Sequence, residues 1–347
     1  MEVQYLAPIS RTPLTSTSHF AIIREIRAIW ENKKIMNLIG LQDAANLADV
    51  SATTIRNYIK DQKLKGYQKG NRILVDREEL ISVFSPKLKA GAAPVNFTRI
   101  IAIANQKGGV GKTTSAVALG CILAKTDPVL AIDCDPQGNM TQAFGLDPDL
   151  QEKTLYNVFL EEIGLSEALR RVGPPPGELH LVPSNLDLAD IWRRVAGKVG
   201  LETILKSAIQ PLLSRFRYIL LDCPPALDLT TINCLVAATE VIVPVDMSLF
   251  SVRGMVKLSA TMQEVRKVNP NLRAPKILAC RTERTTISQS IENSLRDKFG
   301  GDVFSTPIPK TKDIQASHFA RTALPIFAPN SKATLAYQQV AEEIQNG

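Results

Sequence analysis

Residues 106–114 read Gln106-Lys107-Gly108-Gly109-Val110-Gly111-Lys112-Thr113-Thr114 and follow directly on the apolar run Ile100-Ile101-Ala102-Ile103-Ala104. A β-type run, a glycine-rich turn, a Lys-Thr pair and a helix-like stretch, Ser115–Lys125, make the strand–loop–helix arrangement of a phosphate-binding loop. The glycines let backbone N–H groups close around phosphate oxygens with no Cβ in the way, and the helix N-terminus adds partial positive charge. In such a loop Lys112 is placed to reach the β- and γ-phosphates of ATP and the Thr113 hydroxyl to hold Mg2+, while Gly108, Gly109, Val110, Gly111 and Thr114 complete the cradle. The strict string G-x-x-x-x-G-K-[ST] fails, because its first glycine would fall at Gln106. Taken alone, Lys107 reads as an exposed loop lysine.

The 347 residues allow two domains or one large one, and 45% apolar content fits a soluble globular chain. The formal charge of +7 points to a polyanionic partner, nucleic acid or a membrane surface. The opening MEVQYLAPISRTPLTSTS has no apolar core segment, so no secretory signal is expected, and no apolar run approaches the length of a membrane span. Five cysteines at 121, 134, 223, 234 and 280 form no C-x-x-C pair and read as reduced thiols of a cytoplasmic protein. Three scattered histidines offer no metal cluster.

Composition separates the chain into parts. Residues 1–35 hold a Ser/Thr-rich start and an amphipathic stretch, His19–Lys34, a possible dimerisation arm. Residues 36–85 read as a small, mainly α, winged helix-turn-helix: a helix over Gly40–Ala48, a turn at Val50-Ser51 with Ser51 as N-cap, and a second helix over Ala52–Lys60. Ile55 and Ile59 would face inward. Thr53, Thr54, Arg56, Asn57 and Lys60 would face out, where they could touch phosphates and base edges in a major groove. Gly66–Val75 reads as a β-hairpin wing turning at Gly70-Asn71 and carrying Lys69 and Arg72, and Asp76–Leu80 starts another helix. Residues 51–75 hold six basic side chains and one acidic. The order of helix, turn, helix and basic wing resembles MerR-type DNA-binding domains. Residues 86–98 have linker composition.

From 99 to 347 apolar strand-like runs (99–104, 128–133, 178–182, 217–222, 240–245, 276–280) alternate with helical stretches (112–125, 201–215, 249–268, 287–299, 331–345). Near-continuous apolar strands separated by helices predict an α/β fold with a mostly parallel sheet covered on both faces. Two of these runs end in acid. Asp133-Cys134-Asp135-Pro136-Gln137-Gly138-Asn139 closes one, and Tyr218-Ile219-Leu220-Leu221-Asp222-Cys223-Pro224-Pro225 closes another. Ligands of open α/β sheets bind at the carboxyl ends of strands, so both acidic ends can reach the loop. Asp222 sits as a Walker B carboxylate does, holding Mg2+ through water.

The string K-G-G-V-G-K-T, followed by D-x-D-P-Q-G-N and D-C-P-P, resembles the ParA/MinD family of deviant Walker ATPases, above all the plasmid-type ParA proteins that carry an N-terminal winged helix-turn-helix. The likeness extends over residues 99–345, including Ser305-Thr306-Pro307-Ile308-Pro309-Lys310 and Phe327–Ala333. It implies a P-loop NTPase fold and an ATP- and Mg2+-dependent homodimer in which Lys107 reaches the partner's nucleotide. It also implies that Asp135 orients the attacking water, that Asp133 lies near the metal's water shell and that Pro309 lies near adenine. Arg284 and Lys310 are then candidates for sequence-independent DNA contacts. At Ala279-Cys280-Arg281-Thr282-Glu283-Arg284 the chain departs from the family's usual string, which leaves the adenine contacts open, and Lys310 stands where arginine is usual.

The function implied is DNA partition: nucleotide-driven dimerisation, nucleoid association through non-specific DNA binding, hydrolysis stimulated by a ParB-like centromere-binding protein, and operator binding by the N-terminal module. Two alternatives stay open, an ATP-sensing transcriptional regulator and a ParA-like device that positions a non-DNA cargo. A MinD-like membrane role is disfavoured, because Ala333–Gly347 carries Glu342 and Glu343 and lacks the basic face a membrane-binding helix needs.

Overall fold

The computed structural model describes residues 38–48, 50–69, 72–76, 79–80, 83–84, 98–173, 177–247 and 249–346. The expected N-terminal helix, the hairpin's Gly70-Asn71 turn and nearly all of the linker lie outside the described residues, as does much of the helix expected from Asp76.

The smaller unit opens with β1 (Leu38–Gly40), α1 (Leu41–Leu47) and α2 (Ala52–Lys60), then the hairpin β2 (Gly66–Lys69) and β3 (Arg72–Asp76). β1 pairs antiparallel with β3, giving a three-stranded sheet in the order β1-β3-β2. A core of Ala44, Ala45, Ile55, Leu64, Val75, Leu80 and Phe84 holds these elements together, with Tyr58 against Phe84 at a ring separation of 4.6 Å. Ile55 is fully buried as expected, and Ile59 is half-buried at the edge of that core. The small alanines of α1 let the two helices approach closely.

The larger unit is an eight-stranded sheet: β4 (Arg99–Ile103), β5 (Val129–Asp133), β6 (Arg170–Val172), β7 (Leu179–Val182), β8 (Tyr218–Asp222), β9 (Glu240–Asp246), β10 (Lys276–Thr282) and β11 (Ile308–Pro309). Their order is β11-β10-β9-β4-β8-β5-β7-β6, parallel throughout except for the antiparallel β6. Every residue of β5 and β8 is buried, which is why these strands read as unbroken apolar runs rather than alternating ones. One face is covered by α3 (Lys112–Leu123) and the C-terminal helix, whose Ala333, Tyr337, Val340 and Ile344 pack on it. The other face is covered by helices Leu229–Ala237 and Leu249–Val265.

β8 comes late in the chain yet lies between β4 and β5. That insertion puts Asp222 in register with Ile103 on one side and Asp133 on the other. Three segments far apart in sequence therefore end side by side beneath the glycine loop.

The helix expected over 201–215 is broken into a 3-10 turn, a short helix Ile204–Ile209 and a second 3-10 turn. Pro211 sits in that last turn and cannot donate the hydrogen bond a continuing helix needs. β6, β11 and the helices Asn139–Ala143, Lys312–Phe319 and Leu324–Phe327 had no counterpart in the sequence pattern.

Candidate nucleotide site and candidate nucleic-acid interface

The loop between β4 and α3 is anchored before its first glycine. Asn105, 2% exposed, donates from Nδ2 to the Pro244 carbonyl at 2.7 Å and accepts the Lys107 N–H on Oδ1 at 3.1 Å. Gly109 and Gly111 adopt φ of +71° and +101°, which side chains disfavour. Gly111 passes 3.7 Å from Cys280 Sγ, counted from where a Cβ would stand, and leads straight into α3, whose N-terminus faces the loop's interior.

Lys112 turns inward. It is 7% exposed, and its Nζ donates to the Lys107 carbonyl at 3.1 Å. Burial pushes its pKa down, and the nearby charge of Asp222 is the strongest influence holding it up. Lys107 turns the other way. Its Nζ lies 2.6 Å from Asp246 Oδ2 at the end of β9, a pair with side chains 31% and 15% exposed.

The two strand-end carboxylates differ in what they touch. Asp133 accepts from the Thr141 N–H at 2.8 Å, the Thr141 hydroxyl at 2.7 Å and the Asp135 N–H at 3.2 Å. Burial still raises it to about 7, against the pull of those hydrogen bonds. Asp222 is fully buried, and neither of its oxygens meets a donor at full hydrogen-bond geometry, although the Thr113 hydroxyl is close enough to favour the charged form. Burial and then the charge of Asp133 push its pKa well above the carboxylate range, with the Thr113 hydroxyl and Lys112 opposing. A buried carboxylate with neither oxygen fully hydrogen-bonded is the observation that fits a cation. Among the described residues no group of three or more His, Cys, Asp or Glu could hold a metal alone. The donor set suits Mg2+, which keeps waters and takes few protein ligands. Asp135, 8% exposed, accepts the Gln137 N–H at 3.0 Å.

Beside the loop opens a cavity of about 470 Å³, walled by Lys112, Thr113, Thr114, Arg281, Ile314 and His318 among others. The Thr114 hydroxyl lies 3.0 Å from His318 Nε2. Ile308 and Lys310 line this cavity, and Pro309, the residue expected near adenine, lies between them. In a strand, adjacent residues face opposite sides. Asn105, Asp246, Arg281 and His318 carry no motif signal; only the fold brings them to the loop.

In the small unit Ser51 caps α2, its Oγ accepting the Thr54 N–H at 3.1 Å. Thr53, Arg56, Asn57 and Lys60 are exposed along α2, as a base-reading face requires. Thr54 departs from the expectation: it is half-buried, with its hydroxyl 2.9 Å from Ser51 Oγ, because the cap recruits it. Lys69 and Arg72 pair in register at the end of the hairpin. Gly66 starts the wing where a Cβ would lie 2.7 Å from Ile59 Cγ2, so only glycine lets the hairpin meet the helix. On the larger unit Arg284 is exposed, and Lys310 Nζ is 2.6 Å from Glu283 Oε1.

A family model described as an AAA domain matches residues 98–274, and one described as a helix-turn-helix domain matches residues 38–85. The chain is 38% identical over 250 residues to the chromosome-partitioning ATPase Soj of Thermus thermophilus, covering 71% of this chain and 95% of that one. It is 32% identical over 255 residues to the chromosome partitioning protein ParA of Caulobacter vibrioides, covering 72% and 94%. The chain belongs to the ParA/MinD family of P-loop ATPases. Among solved structures, cobyrinic acid a,c-diamide synthase from Mycobacterium smegmatis with bound ADP and magnesium is similar, with a TM-score of 0.63, 32% identity and coverage of 72% and 94%. A putative plasmid partition protein from Borrelia burgdorferi bound to AMPPNP shares the fold, with a TM-score of 0.61 at 24% identity. No helix among the described residues is long and apolar enough to cross a membrane. The apolar side chains of the C-terminal helix pack with those of α3.

Proposed function

We propose that this chain is an ATP-dependent DNA partition ATPase, with ATP and Mg2+ bound between the glycine loop and the ends of β5 and β8. One juxtaposition carries the reading: buried Lys112 and half-buried Thr113 stand beside Asp222, a fully buried carboxylate with no full hydrogen bond, in a chain that also presents the exposed basic face of α2. The backbone amides of Gly108–Thr114 and the α3 N-terminus bind phosphate, and Lys112 places its charge there. Thr113 and Asp222 hold the Mg2+, which when bound neutralises charge developing on the phosphates. Asp133, fixed by Thr141, sets the second carboxylate against Asp222 and the metal's water shell. Asp135 orients the attacking water. Lys107 leaves Asp246 to contact the nucleotide of a second copy, so that nucleotide occupancy drives homodimerisation.

In this reading the dimer binds nucleoid DNA through phosphate contacts from Arg284 and Lys310, which carry no sequence information. Lys310 can exchange Glu283 for phosphate at little loss, since both members of the pair are exposed and solvent screens them. The helix-turn-helix reads an operator through Thr53, Arg56, Asn57 and Lys60, with Lys69 and Arg72 on the wing. A ParB-like partner stimulates hydrolysis and releases the dimer.

The experiment is binding to random DNA with ADP, ATP or no nucleotide at two salt concentrations, beside ATPase turnover. ATP-dependent, salt-sensitive, sequence-blind binding supports the proposal. Operator binding alone would make the chain an ATP-sensing regulator instead. Arg56→Ala should weaken operator binding about tenfold, as one lost bidentate base contact does, and weaken random-DNA binding far less.

A further inference from the structure

At the exit of β10, Arg281 holds a φ of +55°, a left-handed conformation that a long side chain rarely takes. It falls where the pairing of β10 with β11 slips register between Cys280 and Thr282. Non-glycine residues in this region persist only where surrounding structure imposes them, and they gather at functional sites. The consequence here is specific: Arg281 Nη1 donates to the Gly109 carbonyl at 3.0 Å, across 172 positions of sequence. The same side chain lines the cavity beside the loop.

Gly109 sits at φ +71° and has no side chain to resist a turn of its peptide plane. In a planar trans peptide the carbonyl of one residue and the N–H of the next point in opposite directions. When the Gly109 carbonyl is drawn toward Arg281, the Val110 N–H is directed the other way. A flipped peptide would present an oxygen to an incoming anion.

We propose that Arg281 is a positioning residue of the phosphate cradle: its guanidinium grips the Gly109 carbonyl and keeps the Val110 N–H turned toward the β-phosphate. This rests on the reading of the loop as a nucleotide site. The neighbouring Cys280 supports it by packing its sulfur against Gly111, so β10 braces the loop at two of its glycines.

The test uses the full chain with Arg281→Ala, Arg281→Lys and Arg281→Gly, reading ADP affinity, thermal stability, and hydrogen exchange across residues 106–112 with and without ADP. Arg281→Gly removes the guanidinium and relieves the positive φ, so its folded state is not at risk. Arg281→Ala and Arg281→Gly should each weaken ADP binding about tenfold, the scale of one charge-assisted hydrogen bond. Arg281→Lys should fall between, and the protection ADP confers on 106–112 should drop in step. Two results overturn the proposal: both variants binding ADP within twofold of the parent, or weaker binding with protection of 106–112 intact. The second would mean that the guanidinium touches the nucleotide itself. Lys112→Ala separates the two claims. If it keeps full ADP affinity, the nucleotide-site reading fails; if it loses affinity while Arg281→Ala does not, only the positioning role fails.

Discussion

Asp222→Asn should stabilise the metal-free chain at neutral pH while abolishing its response to magnesium nucleotide. Asp133 and Asp222 stand at paired positions of adjacent strands, both fully buried; Asp133 accepts three hydrogen bonds, and Asp222 has the Thr113 hydroxyl near it without a full hydrogen bond. Asp133 stands at about 7 in the folded chain against about 3.9 for an unperturbed aspartate. That rise of about 3 units, at 1.36 kcal/mol each, makes ionising Asp133 in the fold cost on the order of 4 kcal/mol. The two carboxyls titrate as a pair, and Asp222 is itself raised well above the carboxylate range. The folded-state value is raised, so the folded chain retains a proton that the unfolded chain has released. This contribution is complete below pH 4 and is lost as pH rises through about 7. The amide keeps the shape and removes one charge, and relief of a buried, poorly compensated charge is worth about 1–4 kcal/mol. At about 2–4 °C per kcal/mol for a domain of this size, Tm should rise by several degrees at pH 8 and by little at pH 5. Magnesium nucleotide at a hundredfold excess over Kd should add about 2.7 kcal/mol to the parent and nearly nothing to the variant. Thermal unfolding in EDTA and in Mg-ADP at both pH values reads all of this. A variant less stable than the parent at pH 8 in EDTA, or one that keeps the magnesium-dependent gain, refutes the assignment.

Lys107→Ala should leave Tm within a degree or two, because the ion pair is partly exposed, yet leave the protein monomeric with a non-hydrolysable ATP analogue; a normal dimer by light scattering would remove the trans role. Asp246→Asn should lower the protein concentration at which that dimer forms, since it frees Lys107 from its acid; sedimentation showing a weaker dimer would make Asp246 a support of the dimer instead. Gly66→Ala should destabilise the small unit by about 1–3 kcal/mol, because its Cβ would meet Ile59 Cγ2 at 2.7 Å; unchanged hydrogen exchange across 66–75 would contradict that contact.

The glycine loop, the buried strands and the two acidic strand ends were legible because each is a local pattern. A parallel strand covered on both faces has to be apolar throughout, and β5 and β8 are. What escaped is non-local or depends on one atom. Asp246 pairs with Lys107 across 139 positions and Arg281 reaches Gly109 across 172. β11 is two residues long, too short for any alternation to register. Thr54 has the side chain and the spacing of a base reader, but the capping hydroxyl of Ser51 claims it. The helix expected over 201–215 follows an apolar pattern that Pro211 interrupts.

The sheet order also explains why two lysines five residues apart turn to different partners. β4 lies between β8 and β9, so a loop leaving its end has Asp222 on one flank and Asp246 on the other. Lys112 is drawn toward the buried flank, where Asp222 offsets its desolvation, and is held there by the Lys107 carbonyl. Lys107 is drawn to the more open flank and neutralised by Asp246. The Lys107–Asp246 pair is half-buried, with side chains 31% and 15% exposed, and in the proposed function a charge-assisted bond to phosphate in a water-excluded interface replaces it. In the proposed function the pair is a holding position for Lys107, which a partner's nucleotide would take over.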